Sequence, residues 1–234
     1  MDKISIVILS GGKSKRMGTD KGSLKIGGES FVGHLIRQFS TCSLANTAPA
    51  PIVPKEILLS VRDKESGSYD EDLRYVYDIY PGCGPLSGIH SALSACRSEW
   101  LFVVSCDTPF VDSLFLEELF RRGSEMDRLW TGNSKNPAAP AVSTATMLPV
   151  EAIVPVSEDG RRHGTCAFYH KSVLMKLEEQ LMSGNYRVMA FLDRLNVRYV
   201  EAGEISEGEK KLQNINTPAA YMEIIHSKSE LPST

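Results

Sequence analysis

Residues Ile4–Gly22 read "ISIVILSGGKSKRMGTDKG". The run Ile4–Leu9 is apolar but for Ser5 and rich in β-branched side chains, which suits a strand buried on both faces of a parallel sheet. The loop that follows carries Gly11, Gly12, Gly18 and Gly22, with Lys13, Lys15, Arg16, Lys21 and, just beyond, Lys25 around the single acid Asp20. Gly12-Lys13-Ser14 invites a Walker A reading, but that pattern needs a glycine where Val7 stands inside the strand. The dinucleotide pattern Gly-x-Gly-x-x-Gly fails as well, at Lys13 and Ser14. What remains is a different phosphate device. Gly11 and Gly12 let backbone amides approach an anion closely. Ser14 adds a hydroxyl, Arg16 can fork onto phosphate oxygens, and Lys21 offers a compact charge. On composition alone, a solvated basic turn stays open beside this reading.

Working outward, "SLKIGGES" (Ser23–Ser30) is a short extended piece with a glycine turn, and Ser30 begins an amphipathic helix, "SFVGHLIRQF". Thr41–Lys55 is an Ala/Pro-rich loop. "EILLSV" and "RYVYD" are strands, the latter ending at Asp78. "PGCGPLSGIHSALSAC" is a turn entering a helix near Pro85. "EWLFVVSCD" is the most apolar strand, and "TPFVDSLFLEELFRRG" turns into another helix. This rhythm predicts an α/β fold, Rossmann-like and doubly wound, with a mainly parallel sheet in a three-layer α/β/α sandwich and ligand at the carboxyl ends of the strands. Beyond it, Ser124–Glu151 is expected as an irregular surface excursion. "AIVPVS" and "TCAFYH" are strands flanking the turn "EDGRRHG". Helices "SVLMKLEEQLMSG" and "RVMAFLDRL", strand "VRYVEA" and a last helix, "AAYMEIIHSK", complete the chain. The expected organisation is one domain over 1–226, with a nucleotide half at 1–123, the excursion at 124–151 and an acceptor half at 152–226. Residues 227–234 form a flexible tail.

The 234 residues carry a net charge of −3, so no global field draws the chain to nucleic acid or anionic lipid. The basic cluster is local and points to a small anionic ligand. The cysteines, Cys42, Cys83, Cys96, Cys106 and Cys166, lack CxxC spacing, which favours reduced thiols and a cytoplasmic setting over disulfides or structural zinc. Cys106 reads as a small buried hydrophobe. No apolar run reaches membrane-spanning length, and the apolar N-terminal segment is too short for a secretory signal.

"LSGGKSKRMGTDKGSL" resembles the signature loop of the nucleotidyltransferase (pyrophosphorylase) superfamily, and most closely that of the molybdenum cofactor guanylyltransferase family. "DIYPGCGPLSGIHSAL", "VVSCDTPFV", "DGRRHGTCAFYHKSVL" and "NINTPAAY" resemble further segments of that family in the same order. The match runs from about Ile4 to Tyr221. It implies a fold like the nucleotide-diphospho-sugar transferases and a transfer of GMP from GTP to a molybdopterin-type cofactor, with Mg2+ and release of pyrophosphate.

By the same resemblance, Leu9, Ser10, Gly11 and Gly12 line the nucleotide through backbone groups, with Ser14 beside them, and Arg16 and Lys21 bind the triphosphate. Asp107, at the end of an apolar strand, holds Mg2+; a carboxylate there could instead cap the next helix. Asp78 contacts the nucleotide, and Gly84, Pro85, Leu86 and Gly88 shape the base wall. Asn214 and Asn216 face the acceptor or metal shell, although asparagine before Pro218 also suits a turn. Arg161, Arg162 and His163 meet the acceptor phosphate, or else form a solvated hairpin tip. Lys25 is either a phosphate contact or solvated. Two positions depart from the family pattern. Arg62 stands at a nucleotide-binding position where the family commonly carries Asn, and Gly164 stands where it usually shows Pro. Arg lacks an amide's paired donor and acceptor, which keeps a sibling transferase using CTP or another phosphorylated acceptor open. A non-catalytic nucleotide-binding module and a hydrolytic NTPase are the remaining alternatives. Transient contact with cofactor-delivery proteins or molybdoenzymes is implied only by the family.

Overall fold

The computed structural model describes residues 4–10, 21–40, 52–62, 64, 73–132 and 149–229. Strand β1 (Ile4–Leu9) is buried along its whole length, as an apolar run interrupted only by the hydrogen-bonded Ser5 requires. It lies between β4 (Glu56–Val61) and β6 (Trp100–Ser105), parallel to both. Strand β5 (Arg74–Tyr77) adds to β4, again parallel. β2 (Lys25–Ile26) and β3 (Glu29–Ser30) form a separate antiparallel hairpin. Gly27 and Gly28, both at positive φ, make its turn.

The second half extends the sheet from β6. β7 (Ala152–Val156), β8 (Cys166–His170) and β9 (Val197–Glu201) complete the order β5-β4-β1-β6-β8-β7-β9. β8 runs antiparallel to both β6 and β7, and β9 runs parallel to β7. The expected parallel rhythm therefore breaks at one strand. The cause is the short link from β7 to β8, which can only join antiparallel neighbours. Its tip is closed by the Gly160 amide on the Ser157 carbonyl at 2.8 Å, with Gly160 at φ 78°.

Helices cover both faces. On one, α1 (Phe31–Ser40) and α3 (Ser113–Gly132) pack Val32, Leu35, Phe39, Phe115 and Leu119 against Ile4, Ile6, Ile8, Phe102 and Phe168. On the other, α2 (Pro85–Ala95), α4 (Leu174–Met182) and α5 (Val188–Leu192) pack Ile89, Leu93, Leu177 and Phe191 against Val7, Leu58, Val103, Val154 and Tyr169. Alternate β1 residues thus serve opposite layers, as a doubly wound sheet demands. Each large side chain so buried contributes about 1.5–3 kcal/mol. Phe102 and Phe168, opposite each other across β6 and β8, have ring centroids 4.8 Å apart and tie the two halves together.

Helix α3 runs nine residues past Gly123, to Gly132, so the stretch expected to be irregular from Ser124 begins as helix. Gly123 resembles a helix stop, but a Cβ there would lie 2.5 Å from Ile153 Cγ2, so its smallness serves packing. The remainder of that stretch to 148 lies outside the described residues. α6 (Gly208–Lys211) was not expected, and α7 (Pro218–Ser229) carries helix three residues into the expected tail. Among the described residues, no helix is long and apolar enough to cross a membrane. Cys83, Cys96, Cys106 and Cys166 are buried free thiols.

Candidate active site

The carboxyl ends of β1, β4 and β6 are laced together. Ser10 donates its amide to the Ser60 carbonyl at 2.9 Å, and Cys106 donates to the Leu9 carbonyl at 3.0 Å. Leu9 and Ser10 are each 8% exposed, leaving mainly backbone for a ligand to meet. Gly11, Gly12, Ser14 and Arg16 lie outside the described residues. Lys21 opens a 3-10 turn, Lys21–Ser23, that leads into the hairpin. Lys25 is exposed, and its backbone is held by Tyr221: the Tyr221 hydroxyl donates to the Lys25 carbonyl at 2.8 Å.

α2 rises beside these strand ends. Gly84 precedes it at φ 69°, and Pro85 takes the first helical position, where its missing amide costs nothing. Leu86 points into the core, while Pro85 is exposed. A Cβ on Gly88 would sit 2.5 Å from Ser60 Oγ and 3.0 Å from Leu9 Cδ2. Gly88 therefore brings α2 down onto the strand ends that would receive a nucleotide. Half-buried Asp78 lies just before this turn, where the Ile79 amide donates to Ser91 Oγ at 3.0 Å. Arg62, after β4, is exposed.

Asp107 follows β6 and is half-buried, with Oδ1 shielded from solvent. Thr108 closes the turn, its amide and hydroxyl both donating to the Ser105 carbonyl at 3.0 and 2.8 Å. The C-terminal segment comes back to this point: the Ile215 amide donates to the Asp107 carbonyl at 2.8 Å. Asn214 and Asn216, half-buried on either side of Ile215, are thereby held beside the acid. The helix-capping role open to Asp107 is taken by Asp112, whose Oδ1 accepts the Phe115 amide at 2.9 Å.

Two clefts adjoin the segment. One, of about 460 Å3, is lined by Arg161, Arg162, His163, Thr165, Met189 and Asn214. The other, of about 730 Å3, shares Arg161, His163 and Asn214 and adds Ser157, Glu209 and Asn216. The structure thus brings together the hairpin residues and the asparagines that the sequence suggested. Arg161 is exposed. Arg162 has a second attachment: it donates to Asp193 Oδ1 at 2.7 Å and to the Tyr199 hydroxyl at 3.1 Å. These partners hold its charge and raise its pKa. His163 is buried, with Nε2 2.6 Å from Ser157 Oγ. Burial first, and then Arg161, lower its pKa against the opposing pull of Asp159 and Glu209. A Cβ on Gly164 would meet Val188 Cγ1 at 2.5 Å, so glycine lets α5 close onto the cleft. Thr165, Met189 and Ser157 had no signal in the sequence beyond their neighbourhood to the basic turn.

Among the described residues no three His, Cys, Asp or Glu side chains cluster. A cation held at Asp107 would suit the way Mg2+ commonly binds, through one or two carboxylates together with substrate phosphates and water.

The family model for the MobA-like NTP transferase domain matches residues 6–199. A molybdenum cofactor guanylyltransferase of Yersinia pseudotuberculosis is 30% identical over 219 residues, 92% of each chain. Among solved structures, molybdopterin-guanine dinucleotide biosynthesis protein A of Archaeoglobus fulgidus superposes with a TM-score of 0.71 at 21% identity, over 97% of this chain and all of that one. The 2-C-methyl-D-erythritol 4-phosphate cytidylyltransferase of Thermus thermophilus shares the fold with a TM-score of 0.59 at 13% identity, over 95% and 98% of the two chains. The family match across most of the chain and the relative at 30% identity have one meaning: the protein is a nucleotidyltransferase and belongs to the MobA-like NTP transferase family.

Proposed function

We propose that the chain transfers the GMP unit of GTP to a molybdopterin-type acceptor and releases pyrophosphate. The relatives' names support the substrates. The observation that carries the reading is the 2.8 Å bond from Ile215 to Asp107, which sets the acid at the end of β6 beside the asparagines of the two clefts. In this reading GTP lies over Leu9–Gly12, with its base against Gly84–Gly88 and Asp78 and Arg62 at its margin. Ser14, Arg16 and Lys21 take the phosphates. The acceptor's terminal phosphate lies in the clefts, met by Arg161, Arg162, His163, Asn214 and Asn216.

An oxygen of that phosphate attacks the α-phosphorus in line, and the bond to the β-phosphate breaks. The new bond is a phosphoanhydride, and the electron pair leaves with pyrophosphate. No protein nucleophile takes part. Arg16 and Lys21 offset the charge that grows on the leaving group, and the two halves supply alignment. Mg2+ held by Asp107, when bound, neutralises phosphate-oxygen charge. The free buried thiols support a reducing, cytoplasmic setting, and the net charge of −3 disfavours nucleic acid as a partner.

The test is a competition between GTP and CTP for a molybdopterin acceptor with Mg2+ present, followed through both dinucleotide products and pyrophosphate. Guanine dinucleotide is the expected product. Preferential cytidylyl transfer overturns the substrate. Nucleotide binding without pyrophosphate release supports a binding module, and steady phosphate release without acceptor supports a hydrolase.

A further inference from the structure

Lys211 is 7% exposed, a rare state for lysine. Its Nζ lies 2.9 Å from both carboxylate oxygens of Asp112. Asp112 stands five residues after Asp107 on the same connection, and Lys211 stands four before Ile215. The pair Lys211–Asp112 and the bond Ile215–Asp107 are therefore two rungs between the same two segments, with Asn214 inside the span. Below Lys211, α6 is only four residues long, too short to hold its own position. Leu212 is packed in the core with Phe115 and Leu116, and Ile215 is packed with Ile26 and Phe31. Stability alone does not ask for charge here, because apolar residues of similar volume commonly serve a buried ion pair's place as well. What a charged pair adds is a fixed register.

We propose that Lys211 is a positioning residue that, through Asp112, sets the register of the Asn214–Asn216 segment against Asp107. The inference rests on the reading of Asp107 as the metal-holding acid. No signal in the sequence marks the lysine, which stands in a charged stretch, "EKK", 99 residues from its partner.

The test uses the full chain with Lys211→Met alone and with Lys211→Met/Asp112→Asn. The double variant removes the buried Lys211 charge together with its half-buried partner's and keeps a residue able to cap α3, so it folds even where the single one does not. Two quantities are read: hydrogen exchange of the Ile215 amide, and the Mg2+ concentration giving half-maximal pyrophosphate release. In the double variant the Ile215 amide exchanges about tenfold faster or more, while the Val103 amide inside β6 is unchanged. The Mg2+ requirement rises about tenfold, and the KM for GTP stays within about twofold. Wild-type protection at Ile215 overturns the proposal, and so does lost protection with an unchanged Mg2+ requirement. An Asp107→Asn chain that keeps the wild-type Mg2+ dependence overturns the reading of Asp107 instead, and the Ile215 exchange still decides whether Lys211 sets this segment.

Discussion

Gly88 passes so close to Ser60 that one added methyl group would come within 2.5 Å of the serine hydroxyl oxygen. The contact joins α2 to the end of β4, where the nucleotide is proposed to bind. Gly88→Ala is expected to lose about 1–3 kcal/mol to overpacking and to raise the KM for nucleotide. Gly88→Ala/Ser60→Ala removes the nearest atom and should recover most of both effects. Thermal melts and steady-state kinetics of the two variants decide the matter, and an unchanged Gly88→Ala protein would contradict the packing.

Asp107→Asn keeps the shape of the side chain but removes its charge. Pyrophosphate release is expected to fall by about 10²–10³, the usual scale for losing one electrostatic stabiliser. GTP binding and melting temperature should stay near wild type. Titration calorimetry beside a pyrophosphate assay separates the two effects.

Gly164→Ala drives a methyl group into Val188 Cγ1, at 2.5 Å. Helix α5 must yield, and the cleft it lines with Met189 changes shape. The KM for acceptor should rise several-fold, with that for GTP unmoved. Val188→Ala in the same chain opens the space and should restore acceptor affinity. Equal effects on both substrates would show that α5 does not act on the acceptor side alone.

His163 supplies a pH prediction. Its folded pKa is held below the ordinary value, so between the two values the unfolded chain binds more protons. Stability therefore rises with pH through this window and is lost as pH falls below about 6.5, the unfolded value. Melting temperatures from pH 7 to pH 5 should fall less steeply in His163→Gln than in the wild type. His90, also shifted down by burial, is expected to account for part of the remaining slope.

The parallel order of β1, β4, β5 and β6 was legible because its signals are local. An apolar run, a glycine loop and a helix start lie within a few residues of one another, and parallel order follows from their alternation. The direction of β8 was not legible. "TCAFYH" is equally apolar read either way, and only the short hairpin before it fixes the sense. Gly123 misled in a different manner: it carries a stop signal, yet Ile153, thirty residues on, requires it for contact. Lys211 and Arg162 show the same limit for charge. In sequence Lys211 carries no signal and Arg162 reads as an acceptor contact or a solvated tip, and each is paired through contacts that folding alone creates. Asn214 and Asn216 were visible only by resemblance, since turn chemistry explains asparagine before proline equally well.

The hydroxyl of Tyr221 grips the backbone of Lys25, 196 residues earlier. A ribosome delivers Tyr221 long after Lys25, with the earlier part free to fold first. The β2–β3 hairpin thus waits until residue 221 has been made before it is clasped. Nascent chains halted short of Tyr221 would carry the hairpin without this fastening, which couples its closure to a segment made 196 residues later.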